Sequence, residues 1–252
     1  MYGLAQFWHS TIGKKVVMAV TGIIGILFVI GHMSGNFLMF QGQEAMHHYA
    51  QLLRTSMPLL WAVRTGLMVA VLLHVVSAYQ LIMRSRAARP EDYAVRKPQV
   101  TTFAAKTVKW GGLLLLVFLV YHIMHMTLGT VHPQFTHLDP YNNLRIGLSN
   151  PVVAGFYIVA MVALGLHLYH GTWAALRTLS VAPASPQPLK RRAAIVVAAI
   201  VAVGFMIIPI AVLLGAFEEM PPVQEPLVSA HVQTLDTTAG APLATVPTGE
   251  AH

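Results

Sequence analysis

Cysteine is absent from the chain. That excludes disulfides, haem attached covalently through a CxxCH motif, and any iron–sulfur cluster held on the chain's own thiolates. It says nothing of redox compartment, because a chain without thiols has none to protect. Charge is scarce as well. Asp, Glu, Lys and Arg make up 10% of the 252 residues, where a soluble domain carries about a quarter. So low a charge density is not that of a soluble protein, and five long apolar runs leave little chain for a separate soluble catalytic domain.

What fills the sequence instead is hydrocarbon, at 56% hydrophobic residues. Apolar runs longer than about 18 residues read as membrane spans. Five such runs occur, near 16–40, 59–83, 110–131, 151–175 and 193–216. Four contain no Asp, Glu, Lys or Arg, and the second holds only Arg64 near its start. Lys14 and Lys15 precede the first run as they would a signal peptide. The run is too long for a signal h-region, however, and no small-residue cleavage site follows it, so it reads as a retained helix. The expected fold is an all-α membrane protein of five transmembrane helices over residues 1–217. Residues 218–252, rich in Pro, Ala, Thr and Val, read as a largely disordered extramembrane tail.

A net charge of +7 could suggest nucleic acid, but topology accounts for it better. Alternating five spans puts the N-terminus, the 84–109 loop and the 177–192 loop on one side, with 13 of the 16 Lys and Arg residues. Arg54, Arg64 and Arg145 fall on the other. The positive-inside rule then places the N-terminus in the cytoplasm and the C-terminus outside. Pro90 and Pro98 stop either neighbouring helix from crossing the 84–109 loop. VAPASPQP should separate spans four and five as irregular chain. Asn150–Pro151 has the pattern of an N-cap followed by proline at the first helical position.

Histidines sit inside this hydrocarbon, in VIGHMSGN, VLLHVVSA, LVFLVYHIMHMTLG and GLHLYHG. An imidazole within a membrane is costly without a partner, so each is a functional candidate. A lone one could simply hydrogen-bond across helices. Their placement adds information. His32 and His122 each lie eight residues before the outer end of their spans. His74 and His167 lie nine and eight residues before the inner ends of theirs. At 1.5 Å per residue, each is about 12–14 Å inside its span. His32 and His122 therefore share the outer half of the membrane, and His74 and His167 the inner half.

Two histidines from facing helices at one depth suit a bis-imidazole haem, because the iron takes one nitrogen on each face of the porphyrin. Two layers imply two b-type haems, with helices one to four forming a bundle around them. Zinc needs about four ligands in one tetrahedron, which two depths cannot supply. A proton relay usually includes Asp or Glu, and these spans have none. His125 and His170 each follow a ligand candidate by three residues, where they could meet a haem propionate or serve as substitute ligands. Gly22, Gly25, Gly31 and Gly35 thin the first helix, and Gly165 and Gly171 flank His167. Small residues are equally common at plain helix contacts. Phe37, Tyr121, Phe156 and Tyr157 could line a cofactor or merely pack.

The segments FWHSTIGKK, VIGHMSGNF, YAQLLR, LLHVVSAYQL, YAVRKP, VYHIMH and SNPVVAGFYIVAMVALGLHLYHGTW together resemble the cytochrome b membrane anchor of succinate dehydrogenases and fumarate reductases. The likeness is to the single-polypeptide, five-helix, two-haem form, and it runs to the end of span five. The resemblance implies haem ligation by His32 with His122 and by His74 with His167, the pairing that depth gives independently. It implies flavoprotein and iron–sulfur subunits on the cytoplasmic face of a bacterial inner membrane. It also implies electron exchange with a quinone, typically menaquinone, and no dicarboxylate site on this chain. Glu44, His47 and His48 in the first outer loop are then candidates for a quinone site near the outer haem. An inner site near Trp8 and Ser10 is the alternative. Rival readings are the dihaem anchor of a formate dehydrogenase or hydrogenase, and a non-redox permease with intramembrane histidines.

Overall fold

The computed structural model describes residues 2–88, 103–180 and 187–222. These residues form helices and turns without a strand. In chain order the helices are α1 (Tyr2–His9), α2 (Thr11–Phe37), α3 (Gln43–Leu52), α4 (Met57–Ala87), α5 (Phe103–His122), α6 (Pro140–Ser149), α7 (Pro151–Thr178) and α8 (Gln187–Leu213). A 3₁₀ turn over Leu38–Gln41 extends α2, and a π-helical turn over Ile123–Thr127 extends α5. Five segments are long and apolar enough to cross a membrane: Thr11–Gln41, Met57–Ala87, Phe103–Thr127, Pro151–Thr178 and Pro188–Leu213. Each exceeds the roughly 20 residues a bilayer requires.

Local chemistry sets the helix starts. The Ser10 hydroxyl accepts from the Gly13 N–H at 2.8 Å and opens α2. Asn150 Oδ1 accepts from the Val152 N–H at 2.9 Å, with Pro151 first in α7, as the sequence indicates. At the α1 end of the bundle the helices run further than hydropathy alone suggests. Lys14 and Lys15 lie in the first turn of α2, Arg84 and Arg86 in the last turn of α4, and Lys106 and Lys109 within α5. The last four fall within the expected 84–109 loop, but α4 continues to Ala87 and α5 starts at Phe103, with Ala104, Ala105 and Lys106 as good helix formers in its first turn. The loop itself, with Pro90, Pro98 and residue 97, lies largely outside the described residues. Most of VAPASPQP does too, although Pro188 falls in the first turn of α8, where its missing N–H costs nothing.

The bundle reads α4, α2, α7, α5 from one side to the other. α4 packs on α2, α2 on α7, and α7 on α5, while α8 covers α7 and touches α2. In lipid no hydrophobic force joins apolar helices, so small residues set how closely they approach. Ala154, Ala160, Ala194 and Val201 are fully buried. A Cβ on Gly165 would stand 2.9 Å from that of Ala202, so this glycine serves the α7–α8 contact. Gly35 likewise receives the Tyr49 ring.

One end of the bundle carries a cap that hydropathy does not show. α3 and α6 pack on each other, and Met39, Met46, Tyr141, Leu148, Tyr157, Ile208 and Val212 form a core beneath them. Gly42 adopts φ 103° between the 3₁₀ turn and α3, a region other residues avoid. The Asp139 carboxylate is wholly buried, caps α6 at the Asn142 N–H, and accepts from Asn142 Nδ2 at 2.7 Å and Gln43 Nε2 at 3.4 Å. The chain after α8 is tied to the cap. Tyr141 Oη donates to the Glu218 carbonyl, Asn142 Nδ2 to the Met220 carbonyl, and Arg145 pairs with Glu219 at 3.5 Å. Burial pushes the Tyr141 phenol above its ordinary range. Residues 218–220 are therefore part of the folded unit, contrary to the expectation of a free tail from 218. The tail beyond residue 222 lies outside the described residues.

Candidate functional site

Four helices bring their histidines together in two pairs. The rings of His32 on α2 and His122 on α5 have centroids 5.9 Å apart at 82°. Those of His74 on α4 and His167 on α7 are 6.1 Å apart at 56°. Each pair spans helices that do not pack extensively on each other, since α7 lies between α2 and α5, and α2 between α4 and α7. Consider two imidazoles holding one metal ion from opposite sides. With metal–nitrogen bonds of about 2.0–2.1 Å, the zinc–imidazole length, and ring centres about 1.1 Å behind the nitrogens, their centroids stand about 6 Å apart. Both pairs have that separation.

Two of the four rings, His74 and His122, are held through Nδ1, which leaves their Nε2 atoms available. His74 Nδ1 lies 3.1 Å from the Met18 carbonyl. A carbonyl only accepts, so Nδ1 carries the proton and Nε2 keeps its lone pair. Thr21 Oγ1, 3.2 Å from the same Nδ1, steadies the ring further. His122 Nδ1 meets the Tyr157 hydroxyl at 3.3 Å. This is the arrangement in which a ligating imidazole is oriented by a hydrogen bond from its far nitrogen. Rings also support rings. Phe28 stacks on His32 at 5.5 Å, and Phe118 on His122 at 5.6 Å, each one helical turn before the histidine.

Space around the pairs is consistent with a flat group. A Cβ on Gly22 would stand 3.4 Å from His74 Cε1, and one on Gly112 3.8 Å from His167 Cε1. A Cβ on Gly25, Gly31, Gly111 or Gly171 would meet nothing within 4 Å. An apolar cleft of about 230 Å³ beside His167 is lined by Thr107, Gly111 and Leu114 of α5 and by Val159, Val162 and Ala163 of α7. Among the described residues no group of three or more His, Cys, Asp or Glu could hold a metal ion. Zinc, with three or four protein ligands, therefore fits poorly. A haem iron needs only two, because the porphyrin supplies four nitrogens.

Polar atoms left over point the same way. Ser77 Oγ and Gln80 Oε1 on α4, and the Nδ1 atoms of His167 and His170, Thr172 Oγ1 and Trp173 Nε1 on α7, are buried without a hydrogen-bond partner. Each such atom costs about 1–3 kcal/mol. Two matched stripes emerge: His74, Ser77, Gln80 and Arg84 on α4, and His167, His170, Trp173 and Arg177 on α7, with the same spacing. They run from the histidine pair to the α1 end of the bundle and finish in cations, which suits the carboxylates of a haem.

His125 packs against Tyr157 and His132 rather than against His32. It is fully buried, its Nδ1 lies 3.0 Å from Tyr157 Oη, and its ring stacks on His132 at 5.0 Å. His132 Nε2 in turn lies 2.8 Å from the Asn143 carbonyl. Of the two histidines that share Tyr157, it is His122 whose ring meets His32. Glu44, His47 and His48 lie on α3, in the cap. His47 contacts the Leu138 carbonyl and Gln51, and no hydrogen bond or ring contact joins the three to His32 or His122 among the described residues.

Gly147 allows α6 to approach the His125–His132 stack. A Cβ there would stand 2.8 Å from His132 Nε2 and 2.9 Å from His125 Cε1. Gly147→Ala should therefore displace His132 from Asn143 and cost about 1–3 kcal/mol, seen as a lower melting temperature of the purified chain. An unchanged melt would mean that α6 yields freely.

Tyr157 appears in the sequence only as one membrane aromatic among many, and nothing marks it as a shared histidine partner. Thr21 has no distinguishing signal at all. The aromatic one turn before His32 and before His122 is a signal that could have been read. No protein-family model matches this chain, and neither does any curated protein or any solved structure.

Proposed function

We propose that the chain is a dihaem cytochrome b, the membrane anchor of a succinate:quinone oxidoreductase. The observation that carries this reading is the meeting of four intramembrane histidines in two pairs at 5.9 and 6.1 Å across otherwise unpacked helices. His32 and His122 would hold one haem, and His74 and His167 the other. Bound haem supplies a one-electron carrier at each of two depths. The chain's own residues do the rest. Met18 and Thr21 fix the tautomer and tilt of His74, and Tyr157 steadies His122. Phe28 and Phe118 restrain their neighbouring rings, and the open glycines leave room beside the helices.

The partner assignment rests on the sequence resemblance. It comprises flavoprotein and iron–sulfur subunits on the cytoplasmic face of a bacterial inner membrane, with menaquinone as the electron partner. His170 is retained as a propionate contact. The cap bearing Glu44, His47 and His48 is the proposed rim of the quinone site. An absorption spectrum of the purified chain tests the haem reading directly, since a permease would show no Soret band. Succinate-dependent quinone reduction by the complex purified through a tag on this subunit tests the partners. A dihaem spectrum without succinate activity, but with formate or hydrogen activity, would reassign them.

A further inference from the structure

A pocket of about 260 Å³ lies at the α1 end of the bundle, between α1, the start of α2 and the end of α4. Trp8, His9, Lys14, Tyr79, Gln80 and Arg84 line it. Lys14 is 2% exposed, a rare condition for lysine. Its ammonium sits 4.4 Å from the centre of the Trp8 ring, and no carboxylate lies within ion-pair distance of it among the described residues. Ser77 Oγ, a hydroxyl that can donate, is buried without a partner one turn from Gln80. Two cations and an imidazole thus share a cavity with no acid among its lining residues. A buried ammonium needs a counter-charge.

Several features identify the anion's source. Tyr79 and Met83, at 60% and 43% exposure, border the pocket on the outer surface of a membrane-spanning helix. The pocket therefore opens towards lipid. Its depth is the end of two spans, where tryptophan gathers at the headgroup level. This end also carries Lys15, Arg86, Lys106, Lys109 and Arg177. By the positive-inside rule it faces the cytoplasmic leaflet, which is rich in anionic lipid. A neutral quinone would not answer a buried lysine.

We propose that this pocket binds the phosphate of an anionic phospholipid headgroup, with Lys14 and Arg84 as its counter-charges and Trp8 packed beside it. Arg84 also ends the α4 stripe that runs from His74, so the pocket adjoins the proposed haem site, and the test below reads lipid retention rather than haem content. Gly13 is what allows it to form, because a Cβ at that position would collide with the Phe7 carbonyl and push α1, with Trp8, away.

The test uses the full chain in phosphatidylcholine nanodiscs doped with phosphatidylglycerol, followed by native mass spectrometry. Retention of phosphatidylglycerol over phosphatidylcholine is expected. Lys14→Gln/Arg84→Gln should weaken it roughly tenfold or more, while the exposed Lys15→Gln and the charge-keeping Lys14→Arg/Arg84→Lys chains retain it. Equal retention of both lipids, equal retention by the double glutamine chain, or a bound quinone in place of phospholipid would overturn the proposal. Titration with inorganic phosphate alone, read by Trp fluorescence, separates the sources. Saturation by phosphate as tight as by the lipid would make this a free-phosphate site. A chain that retains no phosphatidylglycerol also overturns the proposal. Recovery in Glu91→Gln/Asp92→Asn would then name the chain's own carboxylates as the occupant.

Discussion

The His122→Ala chain is expected to lose about half of its bound haem, while His125→Ala keeps all of it. The two histidines are three residues apart, both intramembrane, and both reach Tyr157. They differ in what else they touch. His122 faces the His32 ring at 5.9 Å, and His125 is locked under α6 against His132. The π-helical turn that begins at Ile123 accompanies this difference, since a widened turn swings His125 away from the direction of His122. To replace His122, His125 would have to leave Tyr157 and the His132 stack and open a gap against Gly147. His32→Ala should match His122→Ala in haem content and spectrum. The double variant should be no worse than either single one, because a pair acts as a unit. His74→Ala and His167→Ala should remove the complementary half. The haem-to-protein ratio and low-temperature spectra of the purified chains decide. Full haem in His122→Ala, or loss of haem in His125→Ala, would sink this assignment.

The parts of the molecule legible in the sequence are those written in hydropathy and depth. Five spans follow from apolar length alone, because lipid leaves the backbone no partner but itself. The histidine pairing was legible because depth along a helix is a simple multiple of residue number, and two spans in each direction gave two matched levels. Lateral arrangement was not legible. That α7 separates α2 from α5, and α2 separates α4 from α7, depends on which small residues meet, and Gly, Ala and Ser recur on several faces of every span. The cap was hidden for a different reason. α3 and α6 are only ten residues each, and polar side chains offset the apolar ones in both, so they read as loops. Their order comes from Asp139, Asn142 and Asn143, short polar residues whose usual place is an exposed turn.

Tyr157 shows how the spans and the cap are joined. Its hydroxyl meets two imidazoles, and its ring belongs to the core under α3 and α6. A phenol has one proton to give and lone pairs to accept with, so it can donate to one imidazole and accept from the other. The orientation of His122 is thereby tied to His125, then through the ring stack to His132, and from there to the Asn143 carbonyl in α6. A disturbance of the cap should reach the proposed ligand along this chain of contacts.

The Asp139→Ala chain is expected to be the least stable of the cap variants. The buried carboxylate caps α6 through the Asn142 N–H and holds both Asn142 Nδ2 and Gln43 Nε2. Loss of an N-cap costs about 1–2 kcal/mol. Hydrogen bonds to a charged group are worth about 1.5–3 kcal/mol each, and the amides left behind in a buried site lose their partner outright. These contributions overlap, so a total near 3–4 kcal/mol is expected rather than their sum. For a folded unit of this size that corresponds to roughly 6–16 °C in melting temperature. Asp139→Asn keeps the shape and one acceptor oxygen and should lose about half as much. The loss should be local first. Asn142 also holds the Met220 carbonyl, and Asp139 holds Gln43 at the start of α3, so hydrogen exchange should quicken in α3, α6 and residues 217–220 before it does in α7. Because Asn143 sits in the same turn, His132 should loosen next. Where haem is present, the spectrum of the His32–His122 site should shift while that of the His74–His167 site stays fixed. A melt within about 1 °C of the parent chain, or exchange that quickens evenly across all five spans, would show that apolar packing rather than Asp139 holds the cap.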